Sequence, residues 1–105
     1  MNINLELYKT FYYVAKNENI SRASNELSIS QPAISKAIKT LEEQLNTNLF
    51  IRKRDGMELT EAGEAFYKKI KDAMELISSA ENDLEVITSM ETGSINIGAS
   101  KTILH

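Results

Sequence analysis

Few side chains in this 105-residue sequence could do covalent chemistry. There is no cysteine, which removes a thiolate nucleophile, a disulfide framework and a Cys-rich zinc site. The one histidine, His105, is the last residue, so there is no basis for a histidine dyad or a histidine metal cluster. Glu42 and Glu43 are adjacent, and neighbouring positions on a helix diverge instead of converging on a substrate. No glycine-rich phosphate loop is present. An enzyme is therefore not expected, nor a metal or other cofactor.

What remains is charge, and its distribution matters more than its total. The chain carries 12 basic and 15 acidic side chains, a net of −3. Residues 1–71 hold 11 of the basic groups and 9 of the acidic ones, whereas residues 72–105 hold one and six. Lys36, Lys39, Arg52, Lys53 and Arg54 crowd into a short stretch opposed only by Glu42 and Glu43. Binding of a polyanion depends on such a local footprint. The front part of the chain suits that task and the back part does not.

The elements that must position these cations follow from spacing. Leu7, Phe11, Val14 and Ala15 recur at helical intervals and predict a helix over 5–17. A short helix over about 21–27 buries Ala23 and Leu27, with Asn19 or Ser21 as its cap. A third helix starts at Gln31 with Ser30 as N-cap. Pro32 falls in its first turn, where a missing N–H costs nothing. Ile34, Ile38, Leu41 and Leu45 form its apolar stripe, and Asn46 suits the left-handed residue that closes many helices. Leu49-Phe50-Ile51-Arg52 and Met57-Glu58-Leu59 are β-prone pieces flanking Lys53-Arg54-Asp55-Gly56. Asp-Gly is a strong hairpin signal, so 49–59 is read as a hairpin with a basic tip. The expected core is Phe11, Val14, Ala23, Leu27, Ile34, Ile38, Leu41, Leu45, Phe50 and Leu59.

The longest element is expected over about 60–90, capped by Thr60, with Glu61 and Glu64 at its positive end. Phe66, Ile70, Ala73, Ile77, Ala80, Leu84 and Ile87 form a heptad seam. Most of such a stripe lies beyond the reach of a 60-residue head, so the expected cover is a second copy of the chain. Ile95-Asn96-Ile97-Gly98-Ala99 alternates like the opening of a strand. No apolar run exceeds the five residues 11–15, and MNINLELYK is not a secretory leader, so a cytoplasmic protein with no membrane contact is expected.

Helix, tight turn, helix and basic hairpin in this order make a winged helix-turn-helix, a mainly α fold. The major groove of DNA admits one helix, whose N-terminal residues reach base edges. Gln31, Ser35, Lys36 and Lys39 lie opposite the apolar stripe of the third helix. Lys53 and Arg54 at the hairpin tip suit phosphates or the minor groove.

The matching residues run in order. They are Ile20-Ser21-Arg22-Ala23-Ser24 through Leu27, Ser30-Gln31-Pro32-Ala33-Ile34-Ser35, Leu41-Glu42 through Leu45, Leu49-Phe50 with Arg52, and Leu59-Thr60 with Ala62-Gly63. On these motifs the chain resembles the N-terminal domain of LysR-type transcriptional regulators. The resemblance spans nearly the whole sequence and assigns 1–59 to a DNA-binding domain, 60–92 to a linker and dimerisation helix, and 93–105 to the start of an effector-binding domain. It implies a bacterial regulator of transcription that binds inverted-repeat DNA as a homodimer through antiparallel linker helices. No small-molecule effector site is expected in this chain.

The DNA-facing set is Gln31, Pro32, Ser35, Lys36, Lys39, Ser21, Arg52, Lys53 and Arg54, and Arg52 has a second reading as a pin between hairpin and third helix. Lys36 stands where the family usually has Arg, which weakens the case for a bidentate guanine contact. Glu18 or Asn19 replaces a common Gly, and Asn46 replaces another. Glu18 is expected to weaken phosphate contact slightly. The rival reading is a dimerising winged-helix module that binds protein and not DNA.

Overall fold

A computed structural model of the chain describes residues 4–92. The elements are α1 (Leu5–Asn17), α2 (Ile20–Leu27), α3 (Gln31–Leu45), β1 (Phe50–Lys53), β2 (Gly56–Leu59) and α4 (Glu61–Thr92). The fold is mainly helical with one two-stranded antiparallel sheet, in the order expected. The strand expected at 95–99, and all of 93–105, lie outside the described residues. Within the described residues two compact units are present, 4–71 and 72–92.

Short polar side chains start the helices. Asn19 Oδ1 accepts from the Arg22 N–H at 2.8 Å, so Asn19 and not Ser21 caps α2, which begins one residue earlier than expected. Ser30 Oγ accepts from the Ala33 N–H at 3.2 Å, with Pro32 in the first turn of α3. Thr60 Oγ1 accepts from the Gly63 N–H at 2.9 Å and starts α4. Each such cap satisfies a donor that the helix leaves free and is worth about 1 kcal/mol.

The helix ends cost something. Glu18, Ser28 and Asn46 close α1, α2 and α3 in the left-handed region, with φ of 54°, 57° and 51°. Asn tolerates that region; Glu and Ser lose roughly 1–2 kcal/mol there. The cost at Ser28 is offset locally. Its N–H donates to the Ser24 carbonyl, as does that of Ile29 at 3.2 Å, and the Ser24 hydroxyl donates to the Ile29 carbonyl. That closed ring of bonds fixes the tight turn between α2 and α3.

The core lies where α1, α2, α3 and the hairpin meet. Phe11, Val14, Ala23, Ile34, Ile38, Leu41 and Phe50 are buried, as expected from their stripes. Leu27, Leu45 and Leu59 are only half-buried. Each is the last residue of its element, so its side chain lies at the rim. Thr10, Ala15, Leu49 and Met57 are buried instead. Phe11 is the hub, with ring centroids 5.4 Å from Phe50, 5.1 Å from Phe66 and 6.4 Å from Tyr67. Tilted and edge-on contacts of this kind add about 0.5–1.5 kcal/mol each beyond the area they bury.

Phe66 and Ile70, the first two seam positions, pack against this same core together with Tyr67. These two of the seven residues assigned to the seam are therefore partly covered by the chain's own head. From Ala73 onward the seam is exposed, with Ile77 at 44%, Leu84 at 61% and Ile87 at 53%.

Leu41 is wholly buried at the centre of α3. Leu41→Ala should cost about 2–5 kcal/mol in a thermal or urea melt, because it removes a fully buried side chain and leaves a cavity that the core fills only in part.

Candidate nucleic-acid interface

The hairpin is fastened at its base before it can present anything at its tip. Glu42, on α3, turns one carboxylate oxygen onto the backbone of the loop that follows. Its Oε2 accepts from the Leu49 N–H at 2.7 Å and from the Phe50 N–H at 3.1 Å. On the other side the Thr60 N–H donates to the Leu49 carbonyl at 3.0 Å, and the Thr60 hydroxyl donates to the Asn48 carbonyl at 2.8 Å. Gly63 presses on the same Leu49 carbonyl, and a Cβ there would overlap its oxygen. Helical spacing alone puts Glu42 on the surface of α3. It is half-buried, and its role is to tie α3 to β1.

The strands pair with Phe50 opposite Leu59, Ile51 opposite Glu58, Arg52 opposite Met57 and Lys53 opposite Gly56. The two-residue loop is therefore Arg54-Asp55. Gly56 serves a different purpose from the one that the Asp-Gly signal suggests. A Cβ on it would lie 2.5 Å from the Glu18 carbonyl oxygen, which also accepts the Met57 N–H at 3.0 Å. The hairpin is thus closed against the turn that follows α1, and only glycine lets it come so near. Glu18 takes part through its backbone carbonyl.

These anchors bring α3 and the hairpin side by side. Gln31, Pro32, Lys36 and Lys39 are exposed on α3, and Ser35 is half-buried. Side chains alternate along β1, so Phe50 and Arg52 share the inward face with Met57, whereas Ile51 and Lys53 point outward. A shallow cleft between α3 and the hairpin is lined by Ser35, Lys36, Lys39, Glu42 and Arg52, with the buried Ile38, Phe50 and Met57 beneath. Arg52 therefore belongs with the cations of α3. Lys53, on the other face, pairs with Glu58 at 3.1 Å. Arg54 is exposed at the tip, and Ser21 is exposed in the first turn of α2. Among the described residues, Lys36, Lys39, Arg52 and Arg54 carry no ion pair.

A helix with an uncovered polar N-terminal half, placed beside a basic hairpin, defines a winged helix-turn-helix. Residues 5–64 match the family model described as "Bacterial regulatory helix-turn-helix protein, lysR family". The chain belongs to that family. It is 38% identical over 100 residues to the HTH-type transcriptional regulator BudR of Klebsiella aerogenes, covering 95% of this chain and 70% of that protein. It is 35% identical over 101 residues to the HTH-type transcriptional regulator YcaN of Escherichia coli K12, covering 96% of this chain and 33% of that one. The chain thus spans about a third of YcaN. Its fold is similar to the crystal structure of the CbnR_DBD–DNA complex, with TM-score 0.71, 30% identity, and coverage of 82% of this chain and 99% of that one. No helix among the described residues is long and apolar enough to cross a membrane.

Glu42→Ala should destabilise the chain by about 1–3 kcal/mol, because it leaves the Leu49 and Phe50 N–H groups without a partner. Glu42→Gln, which keeps one acceptor oxygen, should recover part of that loss in the same melt.

Proposed function

We propose that this chain binds double-stranded DNA as a homodimer and serves as the DNA-reading part of a transcription regulator, with no catalytic role. The observation that carries this reading is the surface shared by α3 and the hairpin, where Lys36, Lys39 and Arg52 line one cleft; the carboxylate beside them, Glu42, is turned onto the Leu49 and Phe50 N–H groups, and among the described residues none of the three cations has an ion pair. Gln31, Ser35 and Lys36 enter the major groove. Their types and their place in the first turns of α3 suit base edges. Lys39 is nearer the phosphates, with Pro32 shaping the helix start and Ser21 reaching the backbone from α2. Arg52, Lys53 and Arg54 serve the backbone or minor groove beside each half-site. Residues 1–59 are the reading module and 60–92 the helix that pairs two of them. The work is done in the cytoplasm, where the DNA is.

The dimer rests on α4. Ala73, Ile77, Ala80, Leu84 and Ile87 line one exposed stripe. Burying apolar area is worth roughly 25 cal/mol per Å², and a two-fold pair buries the same stripe on both copies. Charge favours one direction. Lys68, Lys69 and Lys71 lie early in the helix, and Glu81, Asp83 and Glu85 lie late. Antiparallel packing sets the cations of one copy against the carboxylates of the other, whereas parallel packing stacks like on like. Two reading heads held apart in this way fit the half-sites of an inverted repeat.

The direct test is the mobility of a labelled duplex with the pure chain at two salt concentrations. Steep loss of binding at higher salt is expected, through counterion release. Absence of a shift at low salt would leave the rival reading, a protein-binding module.

Two variants test the assignments within this reading. Gln31→Ala should relax the preference at one base position by about 1–3 kcal/mol, read by selection from a random duplex pool. Uniform weakening of all sequences would make Gln31 a backbone contact. Ile77→Glu should convert a dimer to a monomer in sedimentation at micromolar concentration, because it buries a charge in the pair. A wild-type monomer, or a variant that still pairs as tightly, contradicts the role given to α4.

A further inference from the structure

Among the described residues, Lys53 is the one cation of the hairpin's three that has an ion pair. Its Nζ lies 3.1 Å from Glu58 Oε2, and the two side chains are 49% and 55% exposed. The register explains the pairing. Glu58 stands opposite Ile51, one step along the outward face from Lys53, so the two are diagonal neighbours across the strands. Phe50, Arg52 and Met57 occupy the other face. The pair is therefore on the open side of the hairpin and supports no core contact. An ion pair this exposed adds little to stability.

Its consequence for binding is larger than its consequence for folding. A lysine that meets a phosphate benefits by releasing a condensed counterion from the DNA. Lys53 already holds a counterion that is covalently part of the protein. To take a phosphate it must leave Glu58, and the freed carboxylate then lies close to the polyanion. Lys36, Lys39, Arg52 and Arg54 face no such exchange. We propose that Glu58 is an affinity-setting residue that holds Lys53 back from DNA and so weakens the hairpin's phosphate grip. The inference rests on the DNA-binding reading above.

The test uses the full chain and a labelled random-sequence duplex, followed by fluorescence anisotropy over a range of salt. At about 0.1 M salt, counterion release makes each neutralised phosphate worth roughly eightfold in affinity. Glu58→Gln should therefore tighten binding by about three- to eightfold and steepen the slope of log affinity against log salt by up to about one. The tightening must depend on Lys53, so Glu58→Gln added to Lys53→Gln should change affinity by less than about twofold. Lys53→Gln alone should flatten the slope by clearly less than one in the wild-type background, and by about one once Glu58 is Gln. A thermal melt of each variant confirms that the fold is intact. If wild type binds the duplex but Glu58→Gln leaves affinity unchanged or lower, or tightens it equally without Lys53, the inference fails and the DNA-binding reading stands. If wild type fails to bind at any salt, both fall together.

Discussion

The three backbone units of Asn48, Leu49 and Phe50 decide where everything functional in the head ends up. Two of their N–H groups are held by Glu42 from α3, and two of their carbonyls by Thr60 at the start of α4. Loops ordinarily run over the surface because their backbone groups need water. This one runs inward, with Leu49 2% exposed, because protein groups replace the water on both sides. The result is a rigid joint. It sets β1 against α3, and so sets Arg52 into the same cleft as Ser35, Lys36 and Lys39. It also places the first turns of α4 so that Phe66, Tyr67 and Ile70 close the core around Phe11.

A second constraint is electrostatic. A net charge of −3 is a poor beginning for the DNA binding proposed above. The chain resolves this by separation. Eleven of its 12 cations lie in residues 1–71, eight of them on α3, the hairpin and the start of α4, whereas residues 72–105 hold six carboxylates against one cation. The same separation gives the long helix a polarity that an antiparallel pair can satisfy. Within the head, charge is then adjusted in detail: Glu42 is turned inward onto the backbone, and Glu58 is placed on Lys53.

Much of this is legible in the residues. The helix starts at Ser30-Gln31-Pro32 and at Thr60, the apolar stripe of α3 and the hairpin all follow from local pattern, because caps, turns and helical spacing act over a few residues. What local pattern misses is long-range. Glu42 bonds to N–H groups seven and eight positions on, a contact that no periodicity encodes. Gly56 reads as a turn residue, but it is required by the approach of the Glu18 carbonyl from another element. The heptad seam runs unbroken through Phe66 and Ile70, although the head claims both for its own core. Spacing shows that a stripe exists and not what covers it. The Lys53–Glu58 pair needs the strand register, which a turn signal alone leaves undetermined.

The central claim is that α3 and the hairpin form one DNA-facing surface. Its most direct test is the backbone amide spectrum of isotope-labelled chain titrated with a short duplex at low salt. Shifts should appear together in residues 31–39 and 52–56, at the same protein-to-DNA ratio, while Glu6 and Lys9 on α1 stay in place. Shifts confined to α1 or α4, or a hairpin that stays silent while α3 responds, would contradict the account.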